Sequence, residues 1–214
     1  MSVRRYYPTE RVGALSDGVF AIVLTLLVLE FDLPESDAAG DVWVDLTDNW
    51  HELVGWLVSF TVLARMWMIH HDTFATIRRT SSRTILVNFL FLGSISLVPF
   101  AARLIGTFEF KDPASIIVFS VMLGLTGLTL GMVIAAAESD ARIRRPDRGV
   151  WSWRMRHHLL VIPAISVLSC VGALLHPALG VSILAIEAVV STVVLVGFGG
   201  EEDVESASAA GASG

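Results

Sequence analysis

RVGALSDGVFAIVLTLLVLEF, residues 11–31, is the stretch around which the chain is organised. Its twelve residues from Gly18 to Leu29 hold one polar side chain, Thr25, and an acid stands at each end, Asp17 and Glu30. Written as a helix from Gly13 to Phe31, it is about 28 Å long, close to the hydrocarbon thickness of a bilayer. Projected at about 100° per residue, one face collects Leu15, Gly18, Ile22, Thr25, Leu26 and Leu29. The same projection sends Asp17 to nearly the opposite side. One helix therefore serves two different surfaces.

Composition extends that reading to the whole chain. Of its 214 residues 54 % are hydrophobic and only 17 % charged, and the mean hydropathy is +0.67. Those values belong to an integral membrane protein rather than to a soluble domain. The net charge of −6 conceals a sorting of charge by position. One cysteine, Cys170, lies in an apolar run, where a thiol packs as a small hydrophobe and forms no internal disulfide.

Apolar segments fall at roughly 13–31, 52–71, 83–105, 114–137, 158–175 and 178–198. They predict an all-α protein with six transmembrane helices. Arg4, Arg5 and Arg11 precede the first segment, Arg78, Arg79 and Arg83 separate the second and third, and six arginines between 142 and 156 separate the fourth and fifth. The first loop carries Asp32, Glu35, Asp37, Asp41, Asp45 and Asp48 and no Lys or Arg. Basic loops stay in the cytoplasm, so both termini are expected there and the acidic loop outside. Trp43 and Trp50 on one side, and Tyr6, Tyr7, Trp151 and Trp153 on the other, suit the two aromatic belts. A cleaved signal peptide is the competing reading of the first segment, and Asp17 inside the run argues against it. Residues 1–198 are read as one transmembrane domain, and the Gly/Ala/Ser-rich acidic stretch 199–214 as a disordered tail.

Packing signals are present too. Gly127 and Gly131 form a small-xxx-small pair that would let two helices approach. Pro99 and Pro163 should kink or locally open their helices. Arg65 and Glu187 stand inside apolar runs, so they are expected to face protein or water, as a mutual tie or as part of an ion path.

The first hundred residues carry a resemblance. Arg11-x-x-x-Leu15-Ser16-Asp17 opens the first helix, Trp67-x-x-His70-x-x-x-Phe74 lies in the second, and Asn88 precedes Pro99-Phe100 by eleven residues in the third. This combination resembles the transmembrane protein 175 family, the potassium channels of lysosomes and bacteria, whose signature is Arg-x-x-x-Phe-Ser-Asp. Leu15 stands where that family has Phe, and the last three helices match only in number and hydropathy. The resemblance implies a homotetramer of six-helix subunits with the first helix lining the pore, so that residues 1–198 form a channel domain. It also implies a constriction made by apolar side chains rather than by a carbonyl filter. Carried over from the motif, those are Ile22, Leu26 and Leu29, with Thr25 as a hydroxyl layer.

Such a neck dewets when narrow and conducts when widened. Methyl groups offer a bare ion nothing, so the ion must strip part of its hydration shell. Potassium holds its water less strongly than sodium, which makes modest selectivity for potassium the expectation. Glu30 and Asp32 would stand nearest the outer mouth, where acids concentrate cations and salt screens them. At the inner end, Arg11, Leu15, Ser16, Asp17, Trp67, His70 and Asn88 are expected to form a network tying the first three helices together and setting the pore helix. Histidine there makes that network a candidate pH sensor. His70-His71-Asp72 is a poor metal site, because successive helical residues point about 100° apart.

No Gly-rich phosphate loop, HExxH or GxSxG occurs, so no enzyme class is indicated. No cofactor is expected, with potassium as the permeant ion. The expected partners are further copies of the chain and the lipid of the plasma membrane, and nucleic acid is not among them. The alternative is a proton-coupled secondary transporter using Asp17, Glu187 and the histidines. It would need an internal repeat and a polar midplane site, whereas the middle of the first helix is apolar.

Overall fold

The structure, a computed structural model, describes residues 6–30, 47, 49–77, 79–108, 110–139, 153–190 and 192–193, with 153–159 described in backbone only. The 199–214 tail, most of the acidic loop with Asp32, and the basic stretch 140–152 lie outside the described residues.

Four helical spans have the length and apolarity to cross a membrane. They are α1 (Thr9–Leu29), α2 (Trp50–Ala75), a third divided into α3 (Ser82–Ser96) and α4 (Val98–Phe108), and α5 (Pro113–Ser139). The chain continues in α6 (Trp153–Leu175) and α7 (Pro177–Val190), whose apolar stretches are shorter among the described residues. The described residues are thus mainly helical, and the chain is multi-pass.

Proline chemistry divides the third span. Leu97 closes a tight turn, its N–H bonding Ser94 O at 3.2 Å, and Pro99 falls in the first turn of α4, where a missing N–H costs little. Pro163 lies inside α6, which continues on both sides of it. Its ring packs against α5. A Cβ built on Gly127 would sit 3.0 Å from Pro163 Cδ and 3.1 Å from Ile162 Cγ2, so the absent side chain makes room for the ring. Gly124 likewise faces Ser166, whereas Gly131 meets nothing within 4 Å among the described residues. Among those residues the close approach to α6 is made by Gly124 and Gly127. Hydroxyls cross the same seam, Ser120 to Ser169 at 2.8 Å, and Ser169 on to Gly180 O at 2.9 Å. Such bonds fasten helices where burial from water offers no drive.

One element had no counterpart in the hydropathy pattern. β1 (Tyr6–Pro8) and β2 (Arg79–Ser81) form an antiparallel ribbon, with Tyr7 opposite Thr80. It joins the entry of α1 to the α2–α3 connection. Thr9 Oγ1 and Thr80 Oγ1, 3.0 Å apart and buried, lock it to the helix. Ser81 then caps α3 by accepting from the Thr84 N–H at 3.3 Å.

Candidate functional site

α1 divides its residues as an inward and an outward helix face. Ser16, Phe20, Val23 and Leu27 are buried against α2 and the α3–α4 span. On the other side Leu15, Ile22, Leu26 and Leu29 are exposed, Ile22 by 60 % and Leu29 by 73 %. Gly18 and Thr25 are exposed with them. The stripe read from the sequence thus lies within the wider face that the chain leaves uncovered, which also includes Ala14, Asp17, Ala21 and Val28. Thr25 donates its hydroxyl proton back to Ala21 O at 3.0 Å and Ile22 O at 2.8 Å. Only oxygen lone pairs remain to point outward, the polarity that attracts a cation.

Behind the stripe, the expected network divides in two. Trp67 Nε1 donates to Asp17 Oδ1 at 2.8 Å. Separately, Asn88 bridges three helices: its Oδ1 accepts from His70 Nε2 at 2.8 Å and its Nδ2 donates to Ser16 Oγ at 3.0 Å. Ser16 Oγ passes its own proton to Val12 O at 3.0 Å. All donors in this chain run toward α1. His70, Asn88 and Ser16 are each at most 1 % exposed, so every polar atom must be satisfied in place. The His70 ring stacks on Phe74 at 4.4 Å and on Phe91 at 5.5 Å, which fixes its plane.

Two expectations need correction. Asp17 is not on the buried side of α1; Ser16 occupies the centre of that face, and Asp17 is an exposed flank residue reached by the long Trp67 indole. Arg11 makes no bond to the network. It is exposed, takes no hydrogen-bond partner among the described residues, and lines a cavity of about 270 Å³ with Tyr7, Pro8, Val12, Leu15, Ile85, Asn88 and Phe89. Its position, one turn before Leu15 on the exposed stripe, carries its side chain away from α2.

At the other end of α1, Glu30 approaches Arg103 of α4 at 3.9 Å, with Arg103 58 % exposed, so the acid next to the stripe has a nearby cation. Such an exposed pair contributes little to stability. Deeper in the bundle Arg65 Nη1 donates to Glu187 Oε1 at 3.0 Å, both side chains 4 % exposed. The two intramembrane charges are therefore paired with each other. Among the described residues no group of three or more His, Cys, Asp and Glu is arranged to hold a metal ion.

The ribbon and the phenylalanine sandwich were not foreseen. Tyr6-Tyr7-Pro8 and Arg79-Thr80-Ser81 are too short for alternation to register. The sandwich had a usable signal in His70 and Phe74, four residues apart on one helix face.

Residues 11–99 match the profile of the family described as endosomal/lysosomal potassium channel TMEM175. A Streptomyces collinus protein described as a potassium channel is 36 % identical over 105 residues, which is 49 % of this chain and 51 % of the relative. A potassium channel of Chamaesiphon minutus is 34 % identical over 110 residues, 50 % of this chain and 54 % of the relative. The chain spans about half the length of these curated relatives. In fold the likeness is broader. The crystal structure of a lysosomal potassium-selective channel TMEM175 homolog from Chamaesiphon minutus superposes with a TM-score of 0.75 at 23 % identity, covering 86 % of this chain and 96 % of that one.

Proposed function

We propose, from the match of residues 11–99 to the TMEM175 profile, that this chain is the subunit of a potassium-permeable channel of that family, with its constriction on α1. The observation that carries the reading is the division of α1. Its buried face is built for its own subunit, and its exposed face, Leu15, Ile22, Thr25, Leu26 and Leu29, is built for something else. Four copies arranged with α1 at the axis would bring those faces together, as closed rotational symmetry requires of a shared central element.

In that homotetramer Ile22, Leu26 and Leu29 form a narrow apolar neck, which passes ions only when wide enough to stay wet. Thr25 supplies outward lone pairs at the level where the ion has lost water. Potassium is favoured over sodium because it dehydrates more readily, and the selectivity is modest because methyl groups coordinate nothing. Potassium is the cargo, with no cofactor needed. Glu30 and Asp32 of each subunit enrich cations at the outer mouth. The Asp17–Trp67 bond and the Ser16–Asn88–His70 chain set the angle at which α1 presents its stripe. Arginine-rich segments hold both termini in the cytoplasm, with the channel in the cell membrane. Residues 1–198 form the channel domain and 199–214 a solvated tail.

The test is potassium and sodium flux through liposomes holding the purified protein, beside an Ile22→Asn variant. Expected is rapid passive flux favouring potassium, with a polar ring at position 22 keeping the neck wet and reducing the preference several-fold. Absence of passive flux, with uptake that requires a proton gradient, would overturn the channel in favour of a carrier.

A further inference from the structure

α2 is clamped from opposite sides within six residues. On one side Arg65 donates to Glu187 of α7 at 3.0 Å. Two residues on, Trp67 holds Asp17 of α1, and three further on His70 reaches Ser16 of α1 through Asn88. At about 100° per residue, Trp67 and His70 project roughly 140–160° away from Arg65. A polar line thus crosses the bundle from α7, through α2, to the back of α1. Its far end lies outside residues 11–99, the part matched to the family profile.

The two ends of this line differ in stiffness. Separating a buried ion pair leaves each charge uncompensated in an apolar surround, so it tolerates little slippage. The bonds to α1 leave no buried charge uncompensated when they lengthen: the Ser16–Asn88–His70 links are neutral, and the Asp17 carboxylate is exposed. α2 therefore takes its register from Glu187 and transmits it to Ser16 and Asp17. Those residues stand on the buried face and flank of the helix whose other face carries Ile22, Thr25 and Leu26. A small rotation of α1 at Ser16 turns that stripe by the same angle.

We infer that Glu187 is a positioning residue for the pore helix, acting through Arg65 and α2. This rests on the channel reading above. Removing both charges isolates the function from folding, because apolar replacement of a buried pair leaves no unpaired charge. The full-length protein carrying Arg65→Met with Glu187→Leu is compared with wild type and with the exchanged pair Arg65→Glu with Glu187→Arg.

Two measurements are made on each. One is the potassium-to-sodium permeability ratio in liposomes. The other is the distance distribution between spin labels on Ala14→Cys of neighbouring subunits, in a Cys170→Ser background. The double-apolar protein is expected to assemble, to show a shifted or broadened label distribution, and to lose about twofold or more of the permeability ratio, the scale of long-range coupling in proteins. The exchanged pair is expected to restore both. A double-apolar protein with the wild-type distribution and ratio would overturn the inference and leave the pair as a bundle tie alone. Wild-type liposomes that pass no potassium would overturn the channel reading instead, and the label distributions would still decide whether α7 positions α1.

Discussion

Asn88 is the residue on which most of the candidate site depends. Among the described residues it is the only side chain that bonds both His70 and Ser16, and it does so inside a region closed to water. Asn88→Leu fills a similar volume but strands a buried imidazole N–H and removes the donor that Ser16 Oγ accepts from. The expected loss is about 1–3 kcal/mol, read as a lower unfolding temperature of the detergent-solubilised protein. Asp17→Asn should cost less, since its partner Trp67 is at the flank and an amide oxygen still accepts from the indole. The sequence named the members of this cluster but not its wiring. Spacing tells which residue types share a membrane depth. It does not tell that Ser16 rather than Asp17 faces Asn88, because the two project only about 100° apart and either could be turned inward. Arg11 was misassigned for the same reason: adjacency in a motif is not adjacency in space.

Elements were more legible than contacts. Apolar runs longer than about 18 residues read out as spans, since only a helix satisfies its backbone in lipid. The first four segments became α1, α2, α3–α4 and α5 with small shifts at their ends. The seam between α5 and α6 was less legible, because three glycines on one helix offer several small-residue pairs and only the partner helix selects among them. That selection gives a sharp contrast. Gly127→Leu drives a side chain into Pro163 and Ile162, contacts that a bare Cβ already makes at 3.0 and 3.1 Å. A loss of about 1–3 kcal/mol is expected from overpacking, seen as thermal destabilisation of the solubilised protein. Gly131→Ala, with nothing within 4 Å of its Cβ, should leave the melting temperature unchanged or slightly raised, since alanine favours the helix.

For the whole molecule, the sorting of charge along the chain is the property that reaches furthest. In the proposed topology the outer side is acidic, yet Arg103 sits beside Glu30 and would offset part of the field at the proposed mouth. Arg103→Gln should therefore raise single-channel potassium conductance at about 0.01 M salt, where the Debye length is about 30 Å, and leave it unchanged near 1 M, where it is about 3 Å. Equal effects at both concentrations would mean that Arg103 acts on packing rather than on the field. Assembly is legible in neither sequence nor fold, since an apolar stripe exposed on one chain says only that lipid or protein covers it. The ribbon of Tyr6–Pro8 with Arg79–Ser81 adds a mechanical consequence. It fastens one end of α1, and among the described residues no strand fastens the other, so in the proposed channel a tilt of the helix would pivot near Thr9. From Thr9, Ile22 lies about 20 Å along the axis and Leu29 about 30 Å. A given tilt then moves Leu29 half as far again as Ile22, so the neck would open as a funnel, widest on the side of the acidic loop and narrowest at the isoleucine.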